Sequence, residues 1–244
     1  MSTYVTIARY HLLRRFDYLA LPWVWLAFGF AVDLVIFALV PIGHHGVLTA
    51  HGVVMVQNTS GRDAGGLGAI VAVFFALGVV SAARALPFAL ALGVSRRSYH
   101  IATALLAVTL GVVYGLALTA LQAVERGTDG WGESAHIFQV PYILDGPWYQ
   151  TWLTTSVSLA LLFGYGMWFG LVYRRWNLFG SLTFLAAQVT VLLAVALVVT
   201  WTHTWAGVGR AFTALSAIGL TGVLAALAAA VLVGGYATLR RATV

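Results

Sequence analysis

About six stretches of this chain, residues 19–40, 67–86, 101–121, 152–173, 178–200 and 211–236, each run on for roughly 20 mostly apolar residues without alternating polar ones. At about 1.5 Å per residue, a helix of that length crosses a hydrocarbon core of about 30 Å. Lipid offers the backbone no hydrogen-bonding partner, so spanning segments are helices or closed barrels. Barrel strands would be about 9–11 residues long with a period of two, which these runs lack. Composition agrees: 61% of the residues are apolar and only 8% charged, against roughly 25% charged in a soluble domain. The expected fold class is therefore an all-α membrane protein of about six transmembrane helices, one transmembrane domain over residues 1–244.

Two missing residue types remove whole classes of chemistry. The chain has no cysteine, which excludes disulfides, thiolate metal sites and cysteine nucleophiles. It also has no lysine, so all 13 basic residues are arginine. A P-loop needs its lysine on the nucleotide phosphates, and Schiff-base chemistry needs the amine. The arginines sit in short clusters beside apolar runs, the pattern of membrane orientation rather than of a nucleic-acid-binding face.

Ten of the 13 arginines fall on one side of the expected spans: Arg9, Arg14, Arg15, Arg84, Arg96, Arg97, Arg174, Arg175, Arg240 and Arg241. Only Arg62, Arg126 and Arg210 fall on the other. The positive-inside rule puts the larger set in the cytoplasm, together with both termini. The first apolar run exceeds the usual signal-peptide core of about 7–15 residues, and it is expected to remain as an anchor. Residues 1–18 place Val5, Ala8, Leu12, Phe16 and Leu19 on one helical face, which predicts a cytoplasmic interfacial helix. The larger outer loops are 41–66 and 122–151, the latter with Trp131, Tyr142, Trp148 and Tyr149 suited to the headgroup region.

The connection from Arg84 to His100 is the most informative segment. Pro87 removes a helix donor and predicts an interruption or kink. Phe88 and Leu92 continue an apolar stretch, and Gly93 permits a sharp turn before Val94. Ser95 can cap the next helix, with Arg96 and Arg97 in water and Tyr99 following. A short helix at the membrane surface between spans two and three is expected. Asp33 is the one charged residue well inside an expected span, and an intramembrane carboxylate is a functional candidate. Gln188, in the fifth span, can line a path or bridge two helices. Gly111-x-x-x-Gly115 and Gly166-x-x-x-Gly170 favour close helix packing within the subunit. His44, His45 and His51 cluster in the first outer loop, but their spacing fits no standard metal site.

Leu92-Gly93-Val94-Ser95-Arg96-Arg97, preceded by Pro87 and followed by Tyr99, resembles the ABC-2 type transporter permeases, especially the short ones common in actinobacteria. Tyr10-His11-Leu12-Leu13-Arg14-Arg15, Leu21-Pro22-Trp23, Asp145-Gly146-Pro147-Trp148-Tyr149 and the run from Trp168 to Asn177 are similar to the same family, so the resemblance covers most of the chain. It implies a bacterial plasma-membrane subunit of an exporter. The segment Pro87, Phe88, Leu92, Gly93, Val94, Ser95, Arg96, Arg97 and Tyr99 would be a coupling helix seated in a separate ATPase. Two ATPases and a second permease, identical or homologous, would complete the assembly. ATP and Mg would bind the partner, and this chain would hold no cofactor. Asp33 and Gln188 are candidates for the translocation path. The chain departs from the family's usual pattern in its short connection between the fifth and sixth spans, where part of 211–221 could supply a re-entrant turn.

Two other readings stand beside the permease. A non-transporting membrane anchor or regulatory subunit would need no coupling surface. An intramembrane enzyme or metal-handling protein would build on Asp33 and the outer histidines, although no nucleophile–base pair or ligand set is apparent in the sequence.

Overall fold

The computed structural model describes residues 18, 20–39, 49–50, 53–54, 62–63, 67–128, 135–136, 138 and 146–241. The expected interfacial helix at the N-terminus, His44, His45 and His51, and Trp131 and Tyr142 lie outside them.

The described chain is helical, with several helices long and apolar enough to cross a membrane. Helix α1 spans Leu21–Leu39. Helix α2 spans Leu67–Val80, passes through a wide π turn at Ser81–Ala85, and continues as α3, Leu86–Ala91. Helix α4 spans Arg96–Gly127. Helix α5 spans Trp148–Trp201 and is broken at Asn177. A short α6, Trp205–Ala214, precedes α7, Ala217–Arg241. Four two-residue strands accompany them: β1 Thr49–Ala50 pairs antiparallel with β2 Val53–Val54, and β3 Arg62–Asp63 pairs parallel with β4 Ala135–His136.

Three boundaries differ from the sequence expectation. The second run does not stop at 86: helical backbone continues through Pro87 to Ala91. What was expected as a separate surface helix is thus the last part of a longer one. Proline is tolerated because it stands in the first turn of α3, just after a turn wound i to i−5. The third run starts at Arg96 and ends at Gly127, so at about 1.5 Å per residue its helix is about 48 Å long. The sixth run begins at Ala217 rather than 211, because α6 ends at Ala214 and the backbone leaves helical geometry at Leu215 and Ser216.

Asn177 has φ 58° and ψ −157°, a conformation that costs a non-glycine residue about 1–3 kcal/mol. Here α5 folds back on itself. The Tyr165 hydroxyl donates to Gln188 Oε1, and Trp168 meets Phe184 edge-on with centroids 5.0 Å apart. Residues 23 positions apart in one straight helix would be about 35 Å apart, so 148–176 and 178–201 are antiparallel arms.

The first arm is the centre of the fold. It packs beside α2, α4, α7 and its own second arm. Backbones touch at two crossings. A Cβ at Gly166 would lie 2.0 Å from the Phe75 carbonyl oxygen, and one at Gly115 would lie 2.3 Å from Ser156 Oγ. Both glycine pairs therefore pack within the subunit. Phe74, Tyr114 and Phe163 fill one core, and Leu86, Tyr99, Met167 and Leu239 fill a second. Outside these cores the surface is apolar: along the second arm Phe179, Leu192, Leu197 and Trp201 are each more than half exposed. A water-soluble monomer rarely carries so continuous an apolar face.

The ends of this bundle are distinct. At one, β3 and β4 join the two long loops, and Glu125 accepts a hydrogen bond from the Phe138 amide. At the other lie the α3–α4 turn, the reversal at Asn177 and the end of α7.

Candidate functional site

The α3–α4 turn is shaped by its own sequence. Gly93 has φ +80°. Its amide bonds the Leu90 carbonyl at 3.0 Å, and the Val94 amide bonds that of Ala89 at 3.0 Å. This is a Schellman closure, which needs the left-handed residue that glycine supplies most cheaply. Two residues on, Ser95 Oγ accepts from the Ser98 amide at 3.1 Å and caps α4. Phe88 and Leu92 stand out beside the turn, 46% and 66% exposed.

Three hydrogen bonds hold this turn: one links its two flanking segments, and the other two link it to α5 and α7. The Tyr99 hydroxyl, fully buried, donates to the Ser81 carbonyl at 2.7 Å and lies 3.1 Å from Ser81 Oγ. Arg174, on the first arm of α5, donates from Nη1 to the Ala83 carbonyl at 3.1 Å. Arg96 donates from Nη1 to the Leu239 carbonyl at 3.4 Å, near the end of α7. A cation at a helix C-terminus also opposes the helix dipole favourably.

The candidates of the coupling segment thus divide into two groups. Phe88, Leu92, Gly93, Ser95 and Arg97 are exposed, while Pro87, Val94 and Arg96 are partly covered. Tyr99 is buried and serves as an anchor. Arg96, expected in water, is instead turned toward α7. Ser81, Arg174 and Leu239 were not legible as partners, because each is reached only through a tertiary contact.

The electrostatics of this end are one-sided. Arg84, Arg96, Arg97, Arg174, Arg175 and Arg240 gather there, whereas residues 64–124 and 146–244 contain no aspartate or glutamate at all. Arg175 also lies over the Trp176 ring, 4.4 Å from its centroid.

The two residues proposed for a path fall elsewhere. Asp33 belongs to α1, and its side chain lies outside the described residues. Gln188 is engaged by Tyr165 across the two arms of α5. A second polar link, Thr154 to Thr221 at 2.7 Å, joins the first arm to α7 toward the opposite end. Among the described residues no group of three or more His, Asp or Glu side chains is arranged to hold a metal. No family model, curated protein or solved structure matches the chain.

Proposed function

We propose that this chain is the membrane-spanning permease subunit of an ATP-driven exporter, with six spans and both termini in the cytoplasm. The two arms of α5 count as separate spans in this reading, with α1, α2–α3, α4 and α7. The arginine-rich end faces the cytoplasm of a bacterial cell, as the positive-inside rule requires. The β3–β4 end then faces outward.

The observation that carries the reading is the apolar knuckle of Phe88 and Leu92, exposed yet held by one hydrogen bond across the turn and by one each to α5 and α7. A surface meant only to meet water has no use for two large apolar side chains beside a rigid turn. A surface meant to receive a mechanical displacement needs both the apolar contact and the stiff connection. An ATPase seated on Phe88 and Leu92 would push on α3 and, through Arg174 and Arg96, on α5 and α7 together. ATP and Mg would be held by that partner, since this chain lacks the lysine for a P-loop. A second permease would complete the path, and alternating access would follow from nucleotide binding one state better than the other.

The test is co-purification of the tagged chain from native membranes in mild detergent. A stoichiometric P-loop ATPase is expected, lost in Leu92→Asp while the helical fold survives. An ATPase that stays bound to Leu92→Asp and Phe88→Asp, or a chain that emerges alone under several mild conditions, would overturn it.

A further inference from the structure

A groove of about 400 Å³ runs between α4 and α7 at the arginine-rich end. Its walls are apolar apart from His100: Ile101, Leu105 and Val108 from one helix face Val233 and Tyr236 from the other, and Arg97 lines one end. Ile101, Leu105, Val108 and Val233 are all substantially exposed, so nothing among the described residues covers them. Arg240 lies beside the same end, its guanidinium 6.0 Å from the Tyr236 ring centroid. The bond from Arg96 to Leu239 holds the start of α4 against the end of α7, so Arg97 and Arg240 stand at the same end of the groove.

From Arg97 to Val108 the groove extends 11 residues along α4, or about 16 Å. One leaflet of a bilayer has about 15 Å of hydrocarbon. The groove is therefore as deep as an acyl chain is long in its leaflet, and its mouth falls at headgroup level. The mouth is cationic, and residues 64–124 and 146–244 offer no aspartate or glutamate side chain to neutralise it. An isologous contact with a second copy would set these arginines against the same arginines, which is unfavourable.

We propose that this groove is a binding site for an anionic phospholipid of the cytoplasmic leaflet. The phosphate sits between Arg97 and Arg240, and one acyl chain lies along Ile101, Leu105 and Val108. Arginine suits the task because its planar guanidinium can offer two parallel donors to one phosphate. The proposal rests on the membrane reading and its orientation, but it does not require an ATPase partner.

The test is native mass spectrometry of the full chain, purified in mild detergent and titrated with phosphatidylglycerol or phosphatidylcholine. Wild type should retain phosphatidylglycerol preferentially. At about 1 kcal/mol for each arginine near an anionic surface, Arg97→Gln and Arg240→Gln should each weaken it about fivefold, with Arg97→Lys, which keeps the charge but not the paired donors, weakening it less. Leu105→Trp, which fills the groove and keeps both cations, should weaken retention of both lipids. Excess inorganic phosphate should not compete. Equal retention of the two lipids, a preference unchanged in Arg97→Gln/Arg240→Gln, or full competition by phosphate would overturn the site. So would efficient cross-linking of a Leu105→Cys variant to its counterpart, which would assign the groove to a second copy. None of these readouts involves ATPase, so failure here and failure of the permease reading are separable.

Discussion

Arg174 supplies a hydrogen bond to the carbonyl of Ala83, the acceptor four residues before Pro87, where an α-helix would have placed a proline's missing amide. A charged side chain from α5 thus mends a backbone defect in α2–α3. Removing one partner of such a bond costs about 1–3 kcal/mol when the other is left without solvent. Arg174→Gln should lower stability by about that amount in a denaturing-detergent titration. Pro87→Ala, which restores an amide nearby, should reduce the cost of Arg174→Gln, and a double-mutant cycle reads the coupling. Strictly additive losses would show that Arg174 and Pro87 act independently.

Tyr99 makes a more ordinary bond, since its ring stays packed if only the hydroxyl is lost. Inter-helix hydrogen bonds in membrane proteins average about 0.6 kcal/mol and reach about 1.7. Tyr99→Phe should fall in that range, whereas Tyr99→Ala, which also empties a buried site, should cost about 3–5 kcal/mol. If Tyr99→Phe proves as damaging as Tyr99→Ala, the hydroxyl is worth far more than its bonds to Ser81 suggest.

At Gly93 the constraint is conformational, because nothing lies within 4 Å of an added Cβ. Gly93→Asn should be mild and Gly93→Ala should cost about 1–2 kcal/mol, with Gly93→Val worse still because a branched side chain resists the left-handed region. Equal melting temperatures for the three variants would mean that the turn relaxes to a different closure.

Gly166 tests close approach. Its missing Cβ would collide with the Phe75 backbone, and backbone cannot rotate away, so Gly166→Ala should cost about 1–3 kcal/mol or more. Gly222, in α7, has no atom within 4 Å of the corresponding position. Gly222→Ala should be neutral or stabilising by up to about 1 kcal/mol. Comparable effects at both sites would contradict a backbone crossing of α2 and α5 at Gly166.

The absence of native cysteine makes the orientation directly measurable by single-cysteine labelling. Ser95→Cys should react with a membrane-impermeant maleimide only in inverted vesicles. Thr204→Cys, at the turn between α5 and α6, should react in intact cells. The reverse pattern would invert the topology and remove the coupling role of the α3–α4 turn.

How far the sequence led can be judged at particular residues. Gly93 and Ser95 were legible because a left-handed turn and a helix cap are properties of single residues and their immediate neighbours. The apolar runs were legible because lipid imposes a length. Pro87 marked an interruption, and the chain does leave α-helical winding beside it at Ser81–Ala85; the continuation to Ala91 and the bond from Arg174, 87 positions away in sequence, were not legible there. The sixth run began too early because Ala211 to Ala214 are as apolar as the helix that follows, and only the break at Leu215 and Ser216 separates them. Gln188 stood out as a polar residue in an apolar run, but its pairing with Tyr165 depends on the reversal at Asn177.

The backbone contact between Gly166 and Phe75 has a mechanical corollary. Where two helices touch main chain to main chain, no side chain stands between them to change rotamer or slide to a neighbouring notch. Helix α2, the first arm of α5 and α4, which meets that arm in the same way at Gly111 and Gly115, therefore form a single beam. Whatever motion this protein undergoes has to take place around that beam, at the side-chain-lined seams with α1, α7 and the outer arm.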